Sequence, residues 1–223
     1  QPDDGNPHDR TVARYPLPRP LAPGDWVELE IEFSAQMPDI FARSGVHGDY
    51  VLGGQWFPKI GVLEDAGDRG RAEAGWNVHQ YHASSEFYAD FGDWDLELTL
   101  PARYQGRIGA TGRLLEERVE GDLVTARFAQ RGVHDVAWTA DPKFVVIEEV
   151  FDPVADVPPE QVDRIASLLG IDPEELVLEP VTIRLLLQPE HRNQARRYLD
   201  AAKAALRGFG LRLGAYPYDT LTL

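Results

Sequence analysis

The clearest structural signal in the sequence is the octapeptide Asp93-Trp-Asp-Leu-Glu-Leu-Thr-Leu100. Apolar residues occupy every second position, and acidic residues or threonine lie between them, which predicts a strand with one buried face. The same alternation runs from Trp26 to Phe33. Two further apolar segments, Leu114–Val119 and Leu123–Phe128, flank a Glu-Gly-Asp turn and predict a hairpin. Residues 1–150 are therefore expected to form antiparallel β-structure, as a sandwich or a saddle-shaped pair of sheets.

The character of the sequence changes after residue 150. Residues 151–180 are acidic and rich in proline, and they carry one short helix signal between Pro158 and Gly170. We expect this stretch to be a linker or insertion with a single short helix.

A strand followed by a long helix is predicted near the C-terminus. The strand is Val181–Leu187, and the strongest amphipathic helix of the sequence starts after Gln188. Gly208 and Gly210 are expected to stop this helix, and the residues from Ala215 onward predict the start of another strand. The predicted fold is mostly β, with a short α insertion and a C-terminal strand–long helix–strand segment, and thus α+β overall.

The composition excludes several functional classes. The chain has 223 residues, 37 Asp and Glu against 22 Lys and Arg, a net charge of −15, and no cysteine. A polyanion would need clustered basic residues, so we expect neither a nucleic acid nor an anionic membrane as a partner. No run of about 18 apolar residues predicts a membrane span. The lack of cysteine excludes disulfides, thiolate metal sites and a cysteine nucleophile.

No catalytic or metal-binding motif is visible in the sequence. None of the six histidines begins a His-Glu-x-x-His motif, and no serine lies in a Gly-x-Ser-x-Gly context. The one close pair, His79 and His82, would face opposite sides of a strand, which favours a structural or surface role over a shared metal. We therefore predict neither catalytic nor metal-ligating residues in this chain.

One region combines many aromatic side chains with amides, histidines and carboxylates. It comprises the segments Gly54–Gly61, Gly75–His82 and Ser85–Phe91. Two interpretations are open: an aromatic core whose polar atoms satisfy buried backbone groups, or the wall of a cleft in which rigid aromatics shape a ligand site and a few polar groups orient the ligand.

Several phrases of this sequence resemble a bacterial branch of the aminopeptidase N family of zinc metallopeptidases. They are Gln55-Trp-Phe-Pro-Lys-Ile-Gly-Val62, Trp76-Asn-Val-His-Gln-Tyr-His-Ala83, Glu86-Phe-Tyr-Ala-Asp-Phe-Gly92, Gly109-Ala-Thr-Gly112, Val133-His-Asp-Val-Ala-Trp-Thr-Ala-Asp-Pro142, Leu186-Leu-Gln-Pro-Glu-His191 and Tyr216-Pro-Tyr218. The resemblance covers most of the chain in the same order, and residues 152–180 resemble the family least.

The resemblance implies a domain organisation and a function for the parent enzyme. Residues 1–150 would be part of a β-rich N-terminal domain, 151–180 an insertion, and 181–223 the last strand and the start of a thermolysin-like catalytic domain. The parent would use zinc to remove N-terminal residues from peptides. The zinc motif would lie beyond Leu223, so the chain is expected to be an internal piece that binds no zinc and is inactive alone. Its partners would be the N-terminus of a peptide and the catalytic domain of the same polypeptide.

The resemblance also implies a substrate-binding role for residues of the aromatic region. In the family, a Gln or Glu of the N-terminal domain accepts the α-amine of the substrate, and an ammonium group needs such oxygen acceptors because it only donates. Gln80 is the first assignment and Glu86 the second, with Trp76 and Tyr81 beside them. The alternative is a non-catalytic β-sandwich that binds carbohydrate or protein through Trp56, Trp76 and Tyr81.

Overall fold

A computed structural model gives the fold of the chain and describes residues 7–8, 10–39, 43–78, 80 and 89–223. Contacts within the chain divide it into two compact units. The smaller unit comprises Gln1–Gln36 and Phe57–Asp90, and the larger unit comprises Met37–Trp56 and Phe91–Leu223.

Twelve strands and three α-helices are formed by the described residues. The strands are β1 (Ser44–His47), β2 (Tyr50–Gly53), β3 (Val62–Glu64), β4 (Gly75–Asn77), β5 (Gly92–Pro101), β6 (Ile108–Ala110), β7 (Arg113–Glu120), β8 (Leu123–Val133), β9 (Trp138–Ala140), β10 (Val145–Phe151), β11 (Val181–Leu187) and β12 (Thr220–Thr222). The helices are α1 (Pro153–Asp156), α2 (Pro159–Leu169) and α3 (Ala195–Leu213).

The strands form four small sheets. In the larger unit the strand orders are β1-β2-β9-β6, β5-β8-β7 and β10-β11-β12, and in the smaller unit β3 pairs with β4. Every pairing is antiparallel except that of β11 with β12, which is parallel. The prediction of a mostly β, α+β protein with antiparallel sheets and one long C-terminal helix is confirmed.

Strand β5 has the two faces that the alternating octapeptide predicts. Leu96 and Leu98 are buried in the core of the larger unit. On the opposite face, Arg127 of β8 donates from Nε to Asp95 Oδ1 at 2.9 Å. The predicted hairpin is also formed, by β7 and β8, although a register shift follows Leu114.

The strand predicted over Trp26–Phe33 is wrong. These residues have no regular secondary structure, and their apolar side chains are exposed, Trp26 by 78% and Ile31 by 55%. Alternation specifies which face of a strand would be buried, but a strand also needs a neighbouring strand to bond its backbone. Among the described residues no strand pairs with this segment.

The C-terminal elements surround a second apolar core in the larger unit. Strand β11 lies between β10 and β12, and its central residues Ile183 and Leu185 are almost completely buried. Helix α3 adds Leu199, Leu206 and Leu211 to the same core. The strand predicted at Val181–Leu187 and the strand after Ala215 are therefore confirmed, the latter as β12.

Both predicted ends of the long helix need correction. Residues Pro189–Gln194 form a 3-10 helix, so α3 begins only at Ala195. The helix also continues through Gly208 and Gly210 and ends at Leu213, before Gly214. Burial of Leu211 against the core outweighs the weak helix propensity of two glycines. Over the parts of the chain that the structure describes, no helix is long and apolar enough to span a membrane.

The short helix of the acidic stretch is α2, as predicted. Pro159 is its first residue, and Gly170 follows its last residue in the left-handed conformation, with its N–H bonded to Ala166 O. Ile165 and Ala166 form the buried side of the helix. A second, shorter helix, α1, precedes it and was not predicted.

Candidate functional site

Two of the four predicted substrate-binding residues lie among the described residues. Gln80 is buried, with only 3% of its surface exposed. Trp76 lies in β4, opposite Leu63 of β3, and is 55% exposed. Tyr81 and Glu86 lie outside the described residues, so the grouping of all four stays a prediction. The structure thus describes two residues of the predicted site: the exposed Trp76 and, four residues later, the buried Gln80.

A buried carboxylate fixes the β3–β4 hairpin that carries Trp76. Glu64 is 5% exposed, and Asn77 Nδ2 donates to its Oε1 at 2.8 Å. Arg71 Nη1 lies 3.3 Å from Oε2, and Arg69 Nε lies 3.3 Å from Oε1. A buried carboxylate is tolerated only with such donors around it. Glu64 therefore ties the loop between the strands to both strands of the hairpin.

Two phrases that carry the family resemblance meet in the larger unit. Gln55 Nε2 donates to Asp135 Oδ2 at 2.7 Å, and Trp56 Nε1 donates to the carbonyl of Val136 at 3.1 Å. Ser44 Oγ accepts from the backbone N–H of Gln55 at 2.9 Å. Trp56 packs against the apolar core, and Gln55 Oε1 is shielded from solvent. These contacts fasten two distant parts of the chain.

A cavity of about 250 Å³ lies beside these phrases in the larger unit. Its lining is mostly apolar, with a few threonine hydroxyls and one amide, as is common in ligand sites. The wall is built from Gly109–Gly112 at and after the end of β6, from Ala137–Thr139 at the start of β9, and from Tyr216, Tyr218 and the C-terminal residues. The backbone N–H of Thr111 donates to the Ala137 carbonyl at 2.9 Å, which holds the first two walls together.

Two tyrosines line one side of this cavity in fixed orientations. The Tyr216 hydroxyl donates to the Thr220 carbonyl at 3.3 Å, and the Tyr218 hydroxyl donates to the Gly132 carbonyl at 2.8 Å. Their rings meet edge to face, with centroids 5.4 Å apart. Burial raises the pKa of Tyr216, and the neighbouring Tyr218 raises it further. Tyr216 is therefore a neutral donor at physiological pH and is not suited to act as a base.

Close backbone packing explains two glycine positions at the cavity. Gly112 has a φ of +92°, and a Cβ there would lie 2.5 Å from the carbonyl oxygen of Ala129. Gly53 lies against the Trp138 indole, where a Cβ would be 2.5 Å from Nε1. Since backbone cannot move aside as a side-chain end can, Gly112 is the stricter requirement.

The described residues do not form a zinc site. Among them, no group of three or more His, Cys, Asp or Glu side chains is placed to hold a metal ion. The His79–His82 pair lies outside the described residues. The resemblance implies that the zinc ligands of the parent enzyme lie beyond Leu223, and we assign no chemical step to a metal in the described residues.

The chain matches no protein-family model, and no curated protein sequence matches it significantly. The resemblance to the aminopeptidase N family therefore depends on short segments of the sequence alone.

Sequence reasoning missed the residues that organise this region. Glu64 has the same appearance in the sequence as any solvated acid, and the Gln55–Asp135 bond joins residues 80 positions apart. The sequence contains one signal for the burial of Glu64. It lies two residues after Val62, and residues two apart in a strand face the same side of the sheet.

Proposed function

We propose that this chain is the N-terminal domain, with the entry into the catalytic domain, of a zinc-dependent aminopeptidase of the aminopeptidase N family. The parent enzyme removes N-terminal residues from peptides. In this proposal residues 1–150 belong to the β-rich domain, 151–180 are an insertion, and 181–223 lead into the catalytic domain. The chain forms one wall of the substrate cleft, and hydrolysis takes place at the zinc of the catalytic domain, so the chain alone is inactive.

The observation that carries this proposal is the convergence of the family-like phrases. The Gly109–Gly112 phrase, the Ala137–Thr139 part of the next phrase, and Tyr216 with Tyr218 line one cavity. The phrase that begins at Gln55 is bonded to Asp135 and Val136 of another. These contacts support the proposal because they bring segments that resemble one family, and that are distant in the sequence, to one place.

The packing of two sheets supports a sandwich-like or saddle-like arrangement within the larger unit. Leu96 and Leu98 of β5 and Phe128 of β8 share one apolar core with Ile108 of β6 and Ala140 of β9. Side chains from β5-β8-β7 and from β1-β2-β9-β6 thus contribute to a common interior, as the inner faces of packed sheets do.

Gln80 is the proposed acceptor for the α-ammonium group of the substrate, and Glu86 is the second candidate. A glutamine buried to 3% exposure holds its amide in a fixed orientation, and its carbonyl oxygen can accept from an ammonium donor. Trp76 and Tyr81 would be rigid aromatic surfaces beside the substrate, a role that suits the 55% exposure of Trp76.

Two experiments on the full gene product test this proposal. The first is the coding sequence past Leu223, which should contain a His-Glu-x-x-His motif within roughly a hundred residues. A stop codon or an unrelated domain in that place would overturn the proposal. The purified product should also contain about one zinc ion per chain and cleave aminoacyl substrates that have a free amine.

The second experiment tests Gln80 itself. Gln80→Ala should lower kcat/KM by about 10- to 100-fold, because one acceptor for a charged group is lost. Gln80→Glu keeps the shape and an acceptor oxygen and should retain much more activity. Because Gln80 is buried, the melting temperature of each variant must be compared with that of the wild type. An unchanged kcat/KM for a well-folded Gln80→Ala enzyme would remove this assignment, and Glu86→Ala would then be measured.

The alternative is a β-sandwich module that binds carbohydrate or protein. The observation that favours it is the exposure of Trp76. Trp56 does not add to this surface, because it packs against the core and its indole N–H donates to the Val136 carbonyl. Binding to a glycan array that is abolished by Trp76→Ala, together with the absence of a downstream zinc motif, would support this alternative. Aminopeptidase activity of the full product would rule it out.

A further inference from the structure

An apolar groove lies in the part of the chain that resembles the aminopeptidase N family least. It is formed by the acidic stretch and the end of α3, and its volume is about 370 Å³. We call it the insertion groove. The residues that form it are Val154, Val157, Val162, Leu176, Leu178 and Leu211.

The groove has a rigid floor and an open rim. Leu211 and Val157 are buried, at 1% and 9% exposure, and belong to the second core of the larger unit. Leu178 is held against the helix, since a Cβ on Gly210 would lie 2.8 Å from its Cδ2. Val154 of α1 lies on the rim and is 93% exposed. An apolar groove whose base is part of a buried core can bind the apolar side chains of a partner segment.

The surroundings of the groove are strongly acidic. Residues 152–180 contain eight Asp and Glu and a single basic residue, Arg164. Asp163 lines the groove itself. Among the described residues, the exposed side chains of Glu160, Asp163 and Glu179 form no ion pair, so their charges face solvent.

The cations of α3 that approach this stretch do not neutralise the rim. Lys203 is engaged by Glu149 and Asp156, at 2.8 Å and 2.9 Å. Arg207 donates to the backbone carbonyl of Asp156 at 2.9 Å. Arg207 keeps its positive charge in this bond, because a backbone carbonyl is neutral. The eight acidic residues of 152–180 still outnumber Arg164, Lys203 and Arg207, so the formal charge around the groove stays negative. It attracts positive partners and repels negative ones.

We propose that the insertion groove docks a basic amphipathic segment of a partner protein, with apolar side chains in the groove and Lys or Arg against the acidic rim. Charge decides between the possible occupants. A second copy of this chain, at a net charge of −15, is repelled. An anionic lipid surface is repelled by the same rim. A segment with Leu or Val on one face and Lys or Arg on its flanks satisfies both the apolar floor and the charge.

A binding measurement with the full gene product tests this inference independently of aminopeptidase activity. The probe is a fluorescent 14-residue Leu/Lys helical peptide, with a Leu/Glu peptide of the same pattern and a scrambled Leu/Lys peptide as controls. The Leu/Lys helix should bind, the Leu/Glu helix should not, and raising salt from about 50 to 300 mM should weaken binding, as expected for an electrostatic contribution.

Surface variants locate the binding. Val154→Gln and Asp163→Lys change exposed side chains and should each weaken the Leu/Lys affinity by about tenfold, because one removes an apolar contact and the other reverses a charge. Leu115→Gln, at a 52% exposed leucine of β7, is the matched control and should have no effect. Equal binding of the scrambled peptide, or unchanged affinity in both groove variants, would overturn the proposal.

The other occupants give distinct outcomes that would also overturn it. Binding to phosphatidylglycerol vesicles that is lost in Val154→Gln would assign the groove to a lipid surface. Dimerisation in sedimentation experiments that is lost in the same variant would assign it to a second copy of the protein.

Discussion

Gln55 and Asp135 are joined by a hydrogen bond of 2.7 Å, from Nε2 to Oδ2, across 80 residues of sequence. The other carboxylate oxygen of Asp135 accepts from the N–H of Val136 at 2.8 Å. The Asp135 carboxylate thus links the segment after β2 to the segment before β9. This bond and the Trp56–Val136 bond beside it set the geometry of one cavity wall.

Removing the Asp135 carboxylate should therefore destabilise the larger unit. Asp135→Ala leaves the amide of Gln55 without its charged acceptor, and we expect a loss of about 1.5–3 kcal/mol in the free energy of unfolding. Urea unfolding followed by tryptophan fluorescence measures this change. Glu116→Gln, which removes an exposed carboxylate on β7, is the control and should change stability by less than about 0.5 kcal/mol. Equal effects of the two variants would contradict this account.

Glu64 is expected to control the order of the β3–β4 hairpin. Glu64→Gln removes the charge that Arg69, Arg71 and Asn77 surround, and it should speed amide hydrogen exchange in β3 and β4 by about 10-fold or more. Glu73→Gln, which changes an exposed carboxylate of the same loop, is the control and should leave the exchange rates unchanged.

The two arginines should differ in effect. Arg71 has a side chain exposed by 32% and Arg69 by 71%, so Arg71→Ala should increase exchange more than Arg69→Ala. Equal increases in exchange rate for Arg69→Ala, Arg71→Ala and Glu64→Gln would contradict the expectation that the less exposed arginine contributes more.

Elements with a strong local pattern were predictable, and elements that depend on distant partners were not. Leu96 and Leu98 are buried on the face that alternation predicts, in a strand that also has β8 as its partner. The Trp26–Phe33 segment has the same alternation but forms no strand, since pairing depends on residues elsewhere. The end of α3 was mispredicted because the buried position of Leu211 is a property of the core and is not visible in two nearby glycines.

The candidate site was less predictable than the fold. The cavity of the larger unit was not predicted, and Trp76 and Gln80, the two described residues of the predicted site, do not line it. The contacts of Glu64 within the smaller unit, and those of Gln55 within the larger unit, use residue types that are common on any surface. With 37 acidic residues in the chain, nothing in the sequence distinguishes the buried carboxylate of Glu64 from the solvated ones.

The two glycines of α3 offer a matched pair for testing helix packing. A Cβ on Gly208 would meet only Arg212 Nη1, at 3.8 Å, so Gly208→Ala should stabilise the protein by about 0.5–1 kcal/mol through helix propensity. A Cβ on Gly210 would lie 2.8 Å from Leu178 Cδ2, so Gly210→Ala must displace Leu178 and should gain nothing. Thermal unfolding measures both variants, and an equal gain at the two positions would show that Leu178 does not constrain the helix.

The ion pairs of Lys203 predict how stability depends on pH. The hydrogen bond from Lys203 holds the pKa of Glu149 below its ordinary value of 4.5, although burial acts in the opposite direction. The same bond raises the pKa of Lys203 above its ordinary value of 10.5. Glu149 therefore contributes stability that is present above pH 4.5 and lost as the pH falls through its lowered pKa. Lys203 contributes stability that is present below pH 10.5 and lost as the pH rises through its raised pKa.

Lys203→Met should remove this contribution and leave Glu149 and Asp156 as neighbouring carboxylates. We expect a loss of about 1–3 kcal/mol at pH 7 and a smaller loss at pH 3, where both carboxylates are protonated in the unfolded chain. Arg196→Met is the matched control: it also removes a cation from Glu149, but the Arg196 side chain is 63% exposed and screened by solvent, so its effect on stability should be clearly smaller than that of Lys203→Met. Urea unfolding at both pH values measures the four differences. A loss for Lys203→Met that is the same at pH 3 and pH 7 would mean that packing of the lysine stem, and not its charge, stabilises this part of α3.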